Sequence, residues 1–258
     1  MARYRYSYQT IERYDATVSN YQFLIRCTPR EYPFQKIEQQ QLHLLTGVAF
    51  RRSRDNFGNI IHYGLMRESH DIFVVASSGV ISLGEYEIYD SEPEAMYKMP
   101  TRLTHSDNNI TWFAAQCLAK KTELETALDL ANMIYEKMTY TPGVTNVNTT
   151  AVEAFELCGG VCQDYSHLLV SMCRLKGIYS RYVVGYVEGE GETHSWVEVH
   201  SDGKWYGIDP THNTLILTGY IKVAHGRDAA DCSVVRGIRR GVSTILESQV
   251  RVKVEQIK

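Results

Sequence analysis

Cys162, His194 and Asp209 follow one another along a single stretch of chain, GGVCQDYSHLLVSMCRLKGI through ETHSWVEVHSDGKWYGIDPTHN. A cysteine, a histidine and an aspartate in that order are the parts of a thiol nucleophile, its imidazole base and the carboxylate that orients the base. A free thiol is mostly protonated near neutral pH, whereas the thiolate is what attacks. A helix N-terminus and a neighbouring imidazolium both favour the thiolate. The Cys162 backbone N–H is the natural donor to the oxyanion of a tetrahedral intermediate. Asp209 would accept the second imidazole N–H and fix its tautomer.

These roles need particular elements around them, and the sequence supplies the pattern. Gly159-Gly160 precede a helical stretch in which Tyr165, Leu168, Leu169, Met172 and Leu175 form one apolar face, and Gly177 stops it. Cys162 then falls in the first turn. Three strands are expected next, Tyr179–Glu188, Thr193–His200 and Lys204–Asp209, with Ser201-Asp202-Gly203 joining the last two as a hairpin turn. Antiparallel pairing across that turn brings the His194 segment beside the Asp209 segment. The two glycines are expected to clear space beside the sulfur for a substrate carbonyl and to leave backbone N–H groups free. Upstream, Thr122 with Glu125 and Thr150 with Glu153 read as capping boxes, each opening a helix.

Taken singly, each residue has an ordinary structural explanation. A cysteine in a helix is usually packing, a histidine in a strand is usually structural, and Asp-Pro at a strand end is usually a turn. The order of the three, the glycines and the convergent elements favour the catalytic reading. Cys158 and Cys162 with His194 or His200 make a poor zinc set: there is no CxxC pair, and Gly159-Gly160 break the helix between the two cysteines. No metal and no cofactor is expected. Gln163 and Asp164 are expected to support the helix end, and His167 to hydrogen-bond from its more polar side. Trp196 is expected to pack its strand or wall the cleft, Trp205 to pack, and His212 to line the site.

Composition narrows the function further. At 258 residues the chain can bury a sizeable core in one or two domains. Hydrophobic content of 44% and charged content of 22% suit a soluble globular protein. A net charge of -3 argues against nucleic acid, and Arg236, Arg239 and Arg240 are the nearest approach to a basic run. No segment approaches the roughly 18 apolar residues of a membrane span, and MARYRYSYQTIERY lacks a signal-peptide core. A cytoplasmic location is therefore expected, with cysteines 27, 117, 158, 162, 173 and 232 read as reduced thiols.

Residues 1–104 read as mostly strand. Tyr4, Tyr6 and Tyr8 alternate with Arg3, Arg5 and Ser7. Further strands are expected at Tyr21–Cys27, Gln40–Leu44, Ile60–Leu65, Asp71–Ala76 and Gly79–Leu83. Turns such as Asp55-Asn56-Phe57-Gly58-Asn59 and Ser77-Ser78-Gly79 separate them. The pattern predicts an N-terminal β-sandwich-like domain over 1–104, and polar Tyr89–Met99 with Pro93 marks its edge. Residues 105–258 are expected to form an α+β catalytic core. Its β-rich C-terminal extension should include strands at Val242–Glu247 and Val250–Ile257.

The stretches GGVCQDYSHLLVSMCRLKGIYSRYVVGYV and HSWVEVHSDGKWYGIDPTHN closely resemble the core of the bacterial transglutaminase-like superfamily, in its cysteine-protease branch. RYDATVSNYQFLIRCTPR, DNFGNIIHYGL and GYIKVAHGRDAADCSVVRGIRRG are similar to that branch's N-terminal β region and C-terminal extension. The resemblance covers nearly the whole chain. It implies a papain-like core of helices packed on an antiparallel sheet, and it implies that Cys162, His194 and Asp209 hold the family's triad positions. Two departures stand out. Ser180 occupies a position where alanine is common, and AADCSVV follows Gly226-Arg227-Asp228 where a proline pair is usual. The side-chain half of the oxyanion hole stays open among Tyr140, Asn146 and Asn148.

The expected activity is a cysteine-dependent amide or peptide hydrolase acting on a peptide or a small amide through an acyl-thioenzyme. Passing the acyl group to an amine instead of water would make it a transglutaminase or amide synthase. A non-catalytic peptide-binding module would be expected to have lost a triad member, and none is missing.

Overall fold

In the computed structural model, which describes residues 1–258 apart from Thr46, Ala119 and Val242, both ends of the chain build one β layer. Its backbone is β1 (Ala2–Ile25), a single strand of 24 residues. Tyr4, Tyr6 and Tyr8 point inward and Arg3, Arg5 and Ser7 outward, as a period of two requires. The segment expected as a separate strand from Tyr21 is the far end of β1, reached through Asn20 in the left-handed region (φ 48). β2 (Gln35–Leu44), β3 (Phe50–Arg54), β4 (Ile60–Met66) and β5 (His70–Leu83) follow. The Asp55 carboxylate closes the β3–β4 hairpin by accepting the N–H groups of Phe57 and Asn59, each at 3.0 Å.

The Ser77-Ser78-Gly79 turn does not form; β5 runs straight through it. The small residues serve packing instead. The Ser77 hydroxyl is buried against that of Tyr6 at 3.2 Å, and a Cβ at Gly79 would collide with the Gln39 carbonyl oxygen of β2.

The core follows the sequence pattern closely. After β6 (Glu87–Tyr89) come α1 (Asn108–Ala115), α2 (Glu123–Lys137), β7 (Thr139–Tyr140), α3 (Ala151–Leu157), β8 (Gly159–Gly160) and α4 (Cys162–Leu175). Both expected capping boxes are formed, at Thr122 with Glu125 and at Thr150 with Glu153. Next are β9 (Ser180–Val187), β10 (Gly189–Gly191), β11 (His194–Ser201), β12 (Lys204–Asp209), β13 (Thr214–Leu215) and β14 (Tyr220–Gly226). β11 and β12 turn on Asp202 and Gly203, both at positive φ (50° and 75°), as a two-residue type I′ hairpin requires.

The core sheet runs β13-β12-β11-β9-β14, antiparallel, with β6 added alongside β12. Helices cover one face, where Leu130 and Ile134 of α2 and Leu168, Leu169 and Met172 of α4 bury Val197, Val199 and Ile208. The other face carries Val183 and Trp196, which join the β layer in one buried cluster together with Tyr186 at the far end of β9. There the Tyr6 and Tyr8 rings each lie 5.6 Å from the Tyr186 ring, and the Tyr186 hydroxyl donates to the Cys27 carbonyl at 2.7 Å. Each fully buried large side chain of this kind is worth about 1.5–3 kcal/mol over leaving it exposed. The same interface buries a charged cluster. Glu198 accepts from Arg181, from Lys222 and from the Tyr86 hydroxyl.

β15 (Val235–Arg240) and β16 (Ile245–Ile257) hydrogen-bond antiparallel to β1 rather than to the core sheet. The expected strand at Val242–Glu247 starts at Val242, which lies outside the described residues; from Ile245 onward β16 is continuous through the second expected strand. β16 also pairs with β10, just ahead of His194. Among the described residues, no helix is long and apolar enough to cross a membrane.

Candidate active site

Cys162 is the first residue of α4, after Val161 in extended conformation. Valine offers no capping acceptor, so the helix start is held from the other side. Asp164 Oδ2 accepts the Val161 N–H at 2.8 Å and the Thr145 hydroxyl at 2.7 Å. The Cys162 N–H, at the first helical position, has no acceptor within the helix.

Gly159 and Gly160 do not open space beside the sulfur as expected. They are buried and form a two-residue parallel ladder with Thr139 and Tyr140. Gly160 is a glycine because its φ is +157° and because a Cβ there would run into the Asp164 carboxylate. The ladder ties the 139–149 loop to the turn that carries Cys162.

His194 opens β11 and Asp209 ends β12, so the hairpin brings the imidazole and the carboxylate together. His194 Nε2 lies 2.7 Å from Asp209 Oδ2, which leaves Nδ1 for the thiol. Asp209 is fully buried and densely bonded. Oδ2 also accepts from His212 Nδ1 at 2.7 Å and from the Tyr220 hydroxyl at 2.8 Å, while Oδ1 accepts the Thr211 and His212 N–H groups.

Electrostatics follow from these contacts. Burial pushes the Cys162 thiol up, yet its hydrogen bond to His194, that ring's charge and the Ser195 donors outweigh it, so the thiol lies below its ordinary value. Burial alone would lower His194, but the Asp209 and Cys162 contacts raise it to about 10. Burial likewise works against the Asp209 anion, and the two histidines hold its value well below the usual carboxylate range. A thiolate beside an imidazolium, backed by an anion, is the charge state this geometry favours.

Cys162 and His194 line a cleft of ≈ 610 Å³ with Tyr140, Val184, Val187 and Val252 as apolar walls. Val252 belongs to β16, so the β layer contributes to the cleft. Glu188, Glu190 and Glu192 stand on its rim, and His212 lines it as expected. Of the three oxyanion candidates, Tyr140 lines the cleft, close enough for the Cys162 charge to help burial raise its hydroxyl. Asn146 and Asn148 hold the neighbouring loop instead, through Asn148 N–H to Asn146 Oδ1 and Arg102 to Asn148 Oδ1.

Other expected residues behave as packing. Trp196 is fully buried, with its ring 5.3 Å from Tyr220, and packs rather than walling the cleft. Trp205 is buried and donates to Asp90 at 2.8 Å. His167 is not on a polar face; it is fully buried, accepts the Ala229 N–H at 3.1 Å, and burial lowers it to about 4. Cys158 caps α3 in the left-handed region and does not line the cleft. Tyr220 and Ser195 were not singled out in the sequence, because their roles depend on strand neighbours that only the sheet order brings together.

His194, Asp209 and His212 are the one His/Cys/Asp/Glu grouping among the described residues with metal-ligating geometry, their donor atoms lying within 4.8 Å of one another. Their 2.7 Å separations are hydrogen-bond lengths. Ligands about 2.0–2.1 Å from a tetrahedral zinc stand roughly 3.3 Å apart, so the three would have to spread. The donors fit a hydrogen-bonded triad better than a metal set.

Comparison with known proteins agrees with the fold. Residues 112–210 match the transglutaminase-like superfamily and residues 4–82 the bacterial transglutaminase-like N-terminal region. An uncharacterized protein of Mycobacterium bovis is 30% identical over 92% of this chain and 87% of its own. One from Mycobacterium leprae is 27% identical over 84% and 85%. A solved candidate cysteine protease from Cytophaga hutchinsonii superposes with a TM-score of 0.79 at 20% identity, over 100% of this chain and 92% of that one. Helices and an antiparallel sheet joined to a β layer are the architecture of a transglutaminase-like protein with its bacterial N-terminal region. The chain belongs to the transglutaminase-like superfamily.

Proposed function

We propose that the protein is a cysteine-dependent amide or peptide hydrolase. The Cys162 thiolate attacks an amide carbonyl, and the Cys162 N–H, with Tyr140 nearby, receives the oxyanion. His194 gives its proton to the departing amine as the C–N bond breaks, leaving a thioester on Cys162. Water then enters, His194 takes its proton, and the acid leaves as the thiolate re-forms. Asp209 keeps the ring oriented and its positive charge stabilised.

The observation that carries this reading is the position of His194 between two partners, Asp209 at 2.7 Å and the thiol whose value it lowers. A second reading, transfer of the acyl group to an amine, draws on Glu188 and Glu192 of the rim, which would favour a cationic acceptor, whereas Glu190 is paired with Lys253. The six free thiols fit a reducing, cytoplasmic setting.

The deciding experiment offers a glutamine-containing peptide together with a labelled primary amine. Release of ammonia with formation of the free acid, lost in Cys162→Ala, supports the hydrolase. Incorporation of the amine exceeding hydrolysis replaces it with the transferase, and no turnover in either channel speaks for a binding module.

A further inference from the structure

Beyond Asn20, β1 is one of four strands in the order β15-β1-β4-β3, and their register fixes which side chains share a face. Arg51, Tyr63, Leu24 and Arg236 form one row across it, and Leu65, Gln22 and Ile238 the next. The opposite face sends Phe23 and Ile25 into the core. An outward face of an antiparallel sheet is ordinarily polar. Here Tyr63, Leu65 and Ile238 are 40%, 37% and 77% exposed, and with Leu24 they line a trough of ≈ 680 Å³.

Arginine borders this trough on both sides. The two edge strands, FRRSR of β3 and VRGIRR of β15, each carry three arginines; alternation puts Arg51 of one and Arg236 of the other on the trough face, while Arg52 and Arg54 fall on the opposite face and Arg239 lies over the Tyr14 ring. Arg51 and Arg236 line the trough itself, and among the described residues no carboxylate does. Among the described residues, neither of these two arginines makes an ion pair. Charged edge strands guard a sheet against pairing with other chains, which accounts for arginines on the edges. It does not account for the apolar Tyr63, Leu24, Leu65 and Ile238 clustered around Gln22 between them. Such a patch, rimmed by charge, marks a contact surface.

We propose that this trough docks an extended acidic segment of a partner protein, with apolar and carboxylate side chains in alternation. Apolar side chains would cover Leu24, Tyr63, Leu65 and Ile238, while the guanidinium forks of Arg51 and Arg236 would take carboxylates from either side. A concave trough suits a chain segment better than a bilayer, and its two exposed aromatics, Tyr63 and Phe50, are few for nucleic acid, with Phe50 already turned edge-on to His62. The surface shares no lining residue with the Cys162 cleft, so docking and the chemistry are separable.

The test is fluorescence anisotropy on the full chain with a dye-labelled peptide of alternating aspartate and valine. A lysine–valine peptide, phosphatidylglycerol vesicles and a single-stranded oligonucleotide serve as competing probes. The acidic peptide should bind at least about tenfold more tightly than the lysine peptide, and its affinity should fall with salt. Arg51→Glu with Arg236→Glu, and separately Leu65→Asp, should each weaken it about tenfold while leaving turnover and melting temperature unchanged. Equal binding of the lysine peptide, or affinity retained in both variants, overturns the proposal. So does a preference for vesicles or oligonucleotide, or a dimer of this chain that the same substitutions abolish.

Discussion

His194 and His212 approach the same oxygen of Asp209 from two sides, each with a ring nitrogen 2.7 Å from Oδ2. The Tyr220 hydroxyl adds a third contact at 2.8 Å. A buried carboxylate with so many donors stays ionised and does not rotate, and that rigidity passes to the His194 ring.

Tyr220→Phe tests this directly, because phenylalanine keeps the edge-on packing against Trp196 and removes only the hydroxyl. A hydrogen bond to a charged group is worth about 1.5–3 kcal/mol. With two other contacts remaining on the same oxygen, kcat/KM should fall about tenfold. Thermal unfolding should shift little.

The pH profile follows from the paired shifts. His194, raised from 6.5 to about 10, stabilises the fold fully below 6.5, and that contribution is lost as pH rises through about 10. Cys162, lowered from 9.0, contributes above that ordinary value and loses its contribution as pH falls through its folded one. The ion pair therefore exists between the two folded values. kcat/KM should rise along an acid limb below 9, hold a plateau, and fall near 10. Asp209→Asn should move the alkaline limb downward, which a stopped-assay pH series would read.

Gly160→Ala should be costly for a single added methyl. It combines a positive φ with a collision against Asp164, whose carboxylate holds the start of α4. A loss of about 1–3 kcal/mol is expected by denaturant melts. Turnover should drop as well, since Cys162 stands two residues on.

Much of this site was legible because its signals are local. Capping threonines, the helical face ending at Gly177 and the Asp202-Gly203 turn act within a few residues, and they place Cys162, His194 and Asp209 on the elements where they are found. What escaped was set by distant pairing. β16 lies along β1, and Tyr220 reaches Asp209 only because β14 adds to β9. Serine and glycine at 77–79 were misleading for a related reason. They look like turn formers, and only the crowding of Tyr6 and Gln39 against them reveals close packing.

Glu198 supplies a stability test away from the chemistry. Burial would raise its carboxyl, but Arg181 and Lys222 reverse that and bring it to about 2. Burial presses Lys222 well below its ordinary value. Glu198→Gln leaves the Arg181 guanidinium and Lys222 facing a neutral amide, and should cost about 3 kcal/mol in urea unfolding. The wild-type contribution is present above 4.5 and lost as pH falls toward 2, so the difference between the two proteins should shrink in acid.

The most direct measurement is intact mass after brief exposure to a panel of short acyl p-nitroanilides, quenched in acid. The expected result is one acyl increment, mapped by peptide fragmentation to Cys162, with an equivalent amount of p-nitroaniline released and neither seen in Cys162→Ala. An increment on any other residue, or nitroaniline release that survives Cys162→Ala, would contradict the assignment.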